Sequence, residues 1–451
     1  MQTNAQEIVV VVHTPPTVEL LDELVAAGVS LVLYGHWHSA KSFAHGGATV
    51  AALPPLCFGG IDTSPRSYRQ LDLTVGRGAD LQLKALEQGG LAPCTPEEIG
   101  GYRLGWEVRV PGRIHRSPIV SAPGERLLVS LLDEDLEGHA GVMCRDQRSG
   151  DLCWGVSTDA SVKNRVAVDG SGSRAAALTV TGELAVFDLE QGFVQWQTHL
   201  PGHPERWIYT SPVIDGPGVC AGAKAGYGRY HLDTGECEWY TPLESSDNWS
   251  CYASPVVAGD LLVALVQRRG VVAVDLAAGA IVWEQALGVD YQYASPVPAG
   301  DAVITGGDRG ELVALQVADG EVVWRRDDLG AAYPAGLTVV GERIFGTTPA
   351  GQIQCRHTDG GELVWLAQTE RDLLDMTPYC RGIASILASP VVVGDAVAVG
   401  ANDGCVYLLD LETGAARARA EFGVPVCAPL TPLADGFCVG TWDGRICRYS
   451  R

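Results

Sequence analysis

Short runs of β-forming residues, separated by turn residues, recur through most of the chain. In residues 388–410 a Ser-Pro pair opens a valine run, Gly-Asp turns it, and Asn-Asp-Gly turns a second run into a third. Such runs are typical of antiparallel strands joined by hairpins. In most repeats a last run carries a glycine and, four residues later, a tryptophan; these are Trp154, Trp196, Trp239, Trp283, Trp324 and Trp365. Four strands in a period of about 43 residues predict a propeller blade.

The number of tryptophan-type strands predicts the number of blades. A seventh copy of the motif ends at Ala418 instead of tryptophan, and Trp106 lies 48 residues before Trp154. The last repeat reaches Arg451 just before its tryptophan strand would begin. We therefore expect the strand around Trp106 to supply that strand and to close the ring. The prediction is a mainly β protein with an eight-bladed β-propeller of four-stranded blades over residues 102–451.

The repeat resembles the pyrroloquinoline quinone (PQQ)-like propeller family, whose units carry Ser-Pro-Val-Val and Leu-Asp-x-x-Thr-Gly-x-x-x-Trp. Residues 409–414 and 274–279 match this pattern well, and the resemblance covers about 350 residues. It implies the fold. PQQ itself is not expected as a cofactor, because the adjacent Cys-Cys pair of quinone-dependent dehydrogenases is absent and no clear match to their calcium-binding motifs occurs.

The first ninety residues follow a different pattern. Residues 8–12 form a continuous β-branched run, which is typical of a buried parallel strand. Thr17 can cap a helix that Gly28 would end, and a second apolar run covers residues 29–34. The pattern predicts a β-α-β unit. In open α/β sheets, ligands bind at the carboxyl ends of the parallel strands.

Histidines stand at that edge of the predicted unit. His13 ends the first strand, and His36 and His38 directly follow the second. Imidazoles held at strand ends are good ligands for transition metals. The pattern resembles the carboxyl half of the calcineurin-like metallophosphoesterase family. This resemblance implies that His13 and His36 bind one divalent metal, that His38 binds another, and that the metals are manganese, iron or zinc.

The resemblance to that family is incomplete. Its first half carries Asp-x-His, a bridging aspartate in Gly-Asp, and Gly-Asn-His-Asp, and none of these motifs precedes His13. Two cations need a bridging carboxylate to activate water and hold a phosphate. We therefore assign no catalytic residue and expect one bound ion at most. Either the chain is a fragment of a longer enzyme, or the domain is a vestige that serves the propeller.

Three segments follow from these patterns. Residues 1–90 are predicted to form a partial metallophosphoesterase-like α/β domain that precedes the propeller of residues 102–451. Residues 91–101, rich in proline and glycine, are predicted to be a linker between two separate cores.

Aromatic and polar residues precede the Ser-Pro strands of several repeats. If these strands line the channel, the preceding side chains ring one mouth of the propeller. Aromatic side chains with polar tips suit the binding of a ligand or partner, and packing between blades is the alternative role. We predict an unidentified protein or small-molecule partner at this mouth. The candidate residues are His115, Tyr209, Tyr252, Tyr293, Trp207 and Trp249.

Composition narrows the partners and the compartment. The chain has 54 acidic and 32 basic residues and a net charge of −22, which argues against nucleic acid and anionic membranes. Its thirteen cysteines include no Cys-x-x-Cys, and residues 1–12 are unlike a secretory signal. We predict a cytoplasmic protein with reduced thiols, unless an export signal lies upstream.

Three functions compete at this point. In the first, this chain is part of a longer metal-dependent phosphoesterase, its propeller selects the substrate or partner, and the chain by itself lacks a complete catalytic site. Alternatively, the chain is a non-catalytic interaction scaffold built on the propeller. A quinone-dependent dehydrogenase is the weakest of the three.

Overall fold

The computed structural model describes twelve segments of the chain, namely residues 7–74, 78–86, 90–116, 119–134, 138–201, 208–223, 225–243, 252–266, 269–288, 294–307, 309–328 and 335–451. Within them, the chain forms an α/β unit, a hairpin and eight sheets that follow one another around a ring. No helix in these segments is long and apolar enough to cross a lipid bilayer.

The amino-terminal unit is a small mixed sheet with one helix. Its order is β1-β2-β4-β3; β1, β2 and β4 run parallel, and β3 runs antiparallel to β4. A separate antiparallel hairpin, β5-β6, follows it. The elements are β1 (Val9–Val12), α1 (Val18–Ala26), β2 (Leu31–Tyr34), β3 (Ser42–His45), β4 (Ala48–Ala52), β5 (Ser67–Thr74) and β6 (Gly78–Ala85).

Local sequence explains the helix of this unit. The Thr17 hydroxyl accepts a hydrogen bond from the backbone N–H of Leu20 at 3.3 Å and so caps α1. Gly28 adopts a positive φ of 84°, which lets the chain reverse into β2. The predicted β-α-β unit is therefore confirmed. The β1 strand is parallel to β2, as predicted. It lies at the edge of its sheet, however, and Val11 is 65% exposed, so the prediction that the strand is buried is wrong.

Seven consecutive sheets are four-stranded and antiparallel. We number them as blades 1 to 7. The preceding strands β7 (Glu98–Ile99) and β8 (Tyr102–Arg109) join the last sheet instead. The blade strands are β9 (Val120–Ala122), β10 (Arg126–Leu131), β11 (Gly141–Asp146) and β12 (Leu152–Ser157) in blade 1; β13 (Ala167–Val168), β14 (Arg174–Leu178), β15 (Glu183–Asp188) and β16 (Val194–His199) in blade 2; β17 (Val213–Asp215), β18 (Gly218–Ala223), β19 (Gly226–His231) and β20 (Cys237–Pro242) in blade 3; β21 (Val256–Ala258), β22 (Leu261–Val266), β23 (Gly270–Asp275) and β24 (Ile281–Gln285) in blade 4; β25 (Val297–Ala299), β26 (Ala302–Gly306), β27 (Leu312–Gln316) and β28 (Val322–Arg326) in blade 5; β29 (Thr338–Val340), β30 (Arg343–Thr347), β31 (Gln352–His357) and β32 (Leu363–Gln368) in blade 6; and β33 (Val391–Val393), β34 (Ala396–Gly400), β35 (Cys405–Asp410) and β36 (Ala416–Glu421) in blade 7.

The eighth sheet closes the ring with strands from both ends of the repeat region. It contains β37 (Thr431–Leu433), β38 (Gly436–Gly440) and β39 (Arg445–Ser450), followed by β8 and β7. Trp106 stands opposite Arg448 in the antiparallel pairing of β8 with β39. The predicted eight-bladed propeller and its closure by the Trp106 strand are confirmed. Residues 98–99, which fall in the predicted linker, form the outermost strand of this sheet.

Each repeat tryptophan fastens its blade to the next one. The Trp283 indole N–H donates to the backbone oxygen of Val317 at 2.9 Å, and its ring lies against Gly320 of blade 5. A Cβ at Gly320 would come within 2.4 Å of that ring, so only glycine fits there. The same hydrogen bond, at 2.7–3.1 Å, is made by Trp106, Trp154, Trp196, Trp239, Trp324 and Trp365. The tryptophan of each repeat therefore packs against the glycine of the next repeat.

The repeat without a tryptophan has a different filling. Ala418 of blade 7 packs against a core cluster that contains Ile99 and Tyr102 of the closing sheet, both buried. A Cβ added at Gly100 would lie 3.1 Å from the Ala418 Cβ. The β7–β8 hairpin thus occupies the space that an indole ring takes at the other junctions.

Candidate functional site

The amino-terminal unit covers one mouth of the propeller. Trp37 and Ile61 share a buried cluster with Tyr209, and Tyr252 packs against the same cluster. The two tyrosine rings are stacked with centroids 4.7 Å apart, and the Tyr252 hydroxyl donates to the backbone oxygen of Ile61. Contrary to the prediction of two separate cores, the core of the α/β unit continues into the propeller.

Three of the six candidate mouth residues can be placed. Tyr209, Tyr252 and His115 all lie under the amino-terminal unit, and the His115 Nε2 is 2.7 Å from the backbone oxygen of Thr63. Burial, followed by the Lys163 charge, lowers the pKa of His115 to about 4. The ring is therefore neutral at pH 7 and donates its Nε2 proton to Thr63. The other three candidates, Tyr293, Trp207 and Trp249, lie outside the described residues.

A buried ion cluster lies at the centre of this contact. Lys163, in the loop before blade 2, places its Nζ 3.1 Å from Asp62 Oδ2 and 2.9 Å from Glu134 Oε1. The Asp62 side chain is fully buried, and the other two side chains are 6% and 8% exposed. Ser39 and Ser64 also donate to Asp62, at 2.8 and 2.5 Å. The cluster therefore joins the amino-terminal unit to the loop after β10 and to the loop before blade 2.

The electrostatics of the cluster favour the ionised pair. Burial alone would raise the pKa of Asp62, but the Lys163 charge and the hydrogen bonds from Ser64 and Ser39 outweigh it and hold the pKa well below its usual range. Burial likewise opposes the charge on Lys163, yet Asp62 and Glu134 raise its pKa. The cluster is thus a structural lock that remains charged at neutral pH.

The long step between Trp365 and Ala418 has a structural reason. Residues 369–387 form an extended loop that runs against residues 59–66 of the amino-terminal segment. Gly59 donates to the backbone oxygen of Thr377 at 3.2 Å, and the backbone N–H of Arg66 donates to that of Asp375 at 2.8 Å. A Cβ at Gly59 would come within 2.3 Å of the Met376 backbone. Blade 7 therefore carries an insertion that holds the amino-terminal segment.

The three predicted metal ligands share one edge of the α/β sheet. His13 follows β1 and His36 and His38 follow β2, so all three stand at the carboxyl ends of paired parallel strands. The rings of His13 and His36 have centroids 5.2 Å apart, and the His38 ring packs edge-on to Phe58 and Tyr379. Burial, then the charges of His36 and His13, lowers the pKa of His38 and favours the neutral imidazole that binds metals.

These histidines do not form a tight triad. Their ligand atoms do not all lie within 4.8 Å of one another, whereas those of Asp159, Glu183 and His199 do. Glu183 and His199 stand opposite each other in blade 2, and Asp159 comes from the loop after blade 1. Two carboxylates and an imidazole could hold a zinc or manganese ion. Sequence analysis missed this set because its members come from blade 2 and the loop before it and share no motif.

Serines of the Ser-Pro motif form a ring around the channel. The Ser254 hydroxyl accepts from the backbone N–H of Ser211 at 2.8 Å, and the Ser295 hydroxyl accepts from that of Ser254 at 2.9 Å. Each hydroxyl thus ties its blade to the preceding one. Beneath the amino-terminal unit, the ring surrounds a cavity of about 740 Å³. The serines of the motif therefore form part of the channel wall. What the cavity can bind is determined by the repeats in which another residue replaces the serine.

Comparison with known proteins agrees with this architecture. The model of a PQQ-like repeat family, described as outer membrane protein assembly factor BamB, matches residues 102–285 and 267–425. The chain belongs to this family. The sequence has no match among curated proteins.

Solved structures share the fold at low sequence identity. BamB from Moraxella catarrhalis superposes with a TM-score of 0.61 at 17% identity, over 78% of this chain and all of that chain. The computationally designed Ika8 protein gives 0.59 at 13% identity, over 76% and 98% of the two chains. A europium-containing methanol dehydrogenase gives 0.61 at 12% identity, over 76% and 86%. At these identities the likeness concerns the fold alone.

Proposed function

We propose that this chain is a non-catalytic interaction scaffold whose partner binds the outer rim of the propeller. The observation that carries the proposal is a row of exposed apolar side chains on the outermost strands of blades 4, 5 and 6. Val282 is 50% exposed on β24, Val323 is 55% exposed on β28, and Leu366 is 47% exposed on β32. The neighbouring Ile281, Val322 and Leu363 are exposed as well.

The backbone of these strands supports the same proposal. Each is the last strand of its sheet, so one side of its backbone has no strand partner among the described residues. An unpaired edge with apolar side chains can accept an extended segment of another protein as an added strand. The predicted mouth site is less suited to a protein partner, because the chain's own residues 37–66 lie on it. We therefore place the protein partner on the rim.

The proposal is tested by comparing two matched surface variants in the organism that makes the protein. The double variant Val282→Glu/Val323→Glu places charges on blades 4 and 5, and Leu152→Glu places one on the equally exposed outer strand of blade 1. We expect the parent chain and Leu152→Glu to be cross-linked to the same partner, which is then identified. The double variant should no longer be cross-linked to that partner. Equal recovery with all three proteins contradicts the rim site.

The non-catalytic part of the proposal has its own test. The purified chain with added manganese should hydrolyse neither a generic phosphomonoester nor a phosphodiester. Turnover that His36→Ala abolishes would show a working site and would overturn the proposal.

Metal-dependent phosphoester hydrolysis is the second candidate function. It is supported by the shared edge of His13, His36 and His38, and by the exposed edge strand β1, where Val11 faces solvent. We propose that a polypeptide pairing with β1 and supplying carboxylates would complete a two-metal site. Expression together with the in-frame upstream sequence, followed by metal analysis and the same assays, tests this. The absence of an upstream Asp-x-His and Gly-Asn-His-Asp would remove the candidate.

We also propose a cytoplasmic location, without nucleic acid or membrane as partner. The cysteines in the described segments are free thiols, seven of them buried, as is typical of a reducing compartment. The family description, which names an outer-membrane assembly factor, favours a location outside the cytoplasm. Fractionation of the native cells with an antibody to the chain distinguishes the two.

A further inference from the structure

One repeat departs from the serine ring of the channel. The ring position precedes proline in most repeats and holds a serine or a small residue, as in Ser211, Ser254, Ser295, Ser389, Gly336 and Ala428. In blade 2 the position holds Arg165, whose backbone N–H donates to the Ser211 hydroxyl at 3.0 Å, as the N–H groups of the ring serines do. The backbone of Arg165 is therefore that of a ring residue, while its side chain is much longer and charged.

The Arg165 side chain faces a water-accessible cavity. It is exposed and lines the space of about 740 Å³ beneath the amino-terminal unit. In the described part of the chain, no side-chain or backbone group hydrogen-bonds or ion-pairs with its guanidinium. The channel walls around Arg165 partly desolvate its guanidinium and so lower its pKa, and no carboxylate of the described residues raises it. An arginine kept in such a place has five N–H donors available for an incoming group.

Among the described residues that line the cavity, basic side chains outnumber acidic ones. Lys163 lies between Asp62, which lines the cavity, and Glu134, which does not, and His115 is neutral at pH 7. Arg116 is a second arginine of the lining, with its guanidinium 5.3 Å from the centre of the Tyr252 ring. Thus the protein carries a net charge of −22, yet the described lining of its channel carries an excess of cations. The contrast favours an anionic occupant over a cationic or neutral one.

We propose that this channel binds a small molecule carrying a carboxylate or phosphate group, and that Arg165 is the residue that holds it. A guanidinium forms two parallel hydrogen bonds with either group. The cavity has the size of a site for a small organic ligand, and it is much larger than a single ion requires. The ring serines supply polar walls, and the amino-terminal unit closes the space above. This site is independent of the proposed rim interaction.

Calorimetric titration of the full chain tests the proposal, with citrate as the carboxylate probe and inorganic phosphate as the phosphate probe. The key variant is Arg165→Ser, which restores the residue of the other repeats and should fold for that reason. We expect the parent to bind at least one probe and the variant to bind it at least about tenfold more weakly, the effect of losing a charged bidentate contact. Arg165→Lys should keep part of the affinity, because the charge remains.

A matched charge control and a chemical readout complete the test. Arg174→Ser removes a cation from the same blade, where Arg174 pairs with Asp233 outside the cavity, and should leave binding unchanged. The bound probe should protect Arg165 of the parent chain from phenylglyoxal, an arginine reagent, which needs no variant to fold. Binding of citrate alone or phosphate alone decides the ligand class. No binding of either probe by the parent, or equal binding by Arg165→Ser, overturns the proposal.

Discussion

Replacement of Lys163 with methionine should release the amino-terminal unit from the propeller. Lys163 is the only basic side chain within ion-pair distance of Asp62 or Glu134 in the described residues. Methionine keeps the volume of the side chain and removes its charge. The Asp62 carboxylate, which has no exposure to solvent, would then be left with neutral hydrogen-bond donors only, namely Ser39, Ser64 and the backbone N–H of Ala40.

The cost follows from the burial of the pair. Removing one partner of a buried ion pair typically costs about 3–5 kcal/mol, because the remaining charge stays desolvated. The control Arg148→Met breaks an ion pair with Glu125, in which the arginine side chain is 73% exposed, and should cost less than about 1 kcal/mol. Part of the cost in Lys163→Met should disappear at low pH, because a protonated Asp62 no longer buries a charge.

Hydrogen exchange measured by mass spectrometry reports the effect where it occurs. The backbone amides of residues 37–66 should exchange about 150- to 5,000-fold faster in Lys163→Met than in the parent, as a loss of about 3–5 kcal/mol in opening free energy implies. Amides of blades 4 to 6, far from the cluster, should be unaffected. The double variant Asp62→Asn/Lys163→Met should recover part of the protection.

The reasoning is wrong if Lys163→Met and Arg148→Met exchange alike over residues 37–66. That result would mean that apolar contacts, such as those of Trp37 and Ile61, hold the unit without the ion cluster. Uniformly faster exchange over all blades would also contradict it, because the lock would then stabilise the whole ring rather than one contact.

Three further predictions concern the blades and the effect of pH. Trp283→Ala should lower the free energy of unfolding by about 3–5 kcal/mol. Trp283→Phe should lower it by less, because phenylalanine keeps most of the ring against Gly320 and loses only the hydrogen bond to Val317. Equal losses for the two variants in urea denaturation would contradict the proposed contact. Ala418→Trp should lower the free energy of unfolding by about 1–3 kcal/mol, because Ile99 and Tyr102 already fill the space beside Ala418. An unchanged or higher melting temperature would show that this space is open. The pKa of His115 is about 4 in the folded chain and about 6.5 when unfolded, so its contribution to stability is complete above pH 6.5 and is lost as the pH falls through 4. Of the total of about 3 kcal/mol, about 2.5 kcal/mol should appear as a difference in pH dependence between the parent and His115→Gln in denaturation at pH 7.5 and 4.5.

The repeat architecture could be predicted from the sequence because its determinants are local. Each unit of about 43 residues repeats the same turn residues, Ser-Pro strand starts and glycine–tryptophan spacing. The number of these units predicts the number of blades in the ring. The role of the glycine was not visible in the same way. Gly320 is required by a tryptophan of the preceding repeat, and a one-dimensional pattern does not show which units touch.

The contact between the two parts of the chain could not be predicted in this way. Asp62, Glu134 and Lys163 lie far apart in the sequence and belong to no motif, and their meeting depends on which mouth of the propeller the α/β unit covers. By contrast, Arg165 does leave a signal. Alignment of the repeats on their Ser-Pro position would have shown a long cation where the others have small residues.

The strand that closes the ring sets an order of events during synthesis. Among the described residues, β8 pairs with β39, which lies more than 300 residues later in the sequence, and with the two-residue β7. At about 5–20 residues per second, a ribosome needs roughly 20–70 seconds to make the residues between the two strands. Throughout that time β8, in which apolar residues alternate with charged ones, lacks its main partner, and seven blades can form before the eighth. The newly made chain is therefore vulnerable to mispairing and to capture by chaperones at β8, and that vulnerability ends only when β39 has left the ribosome.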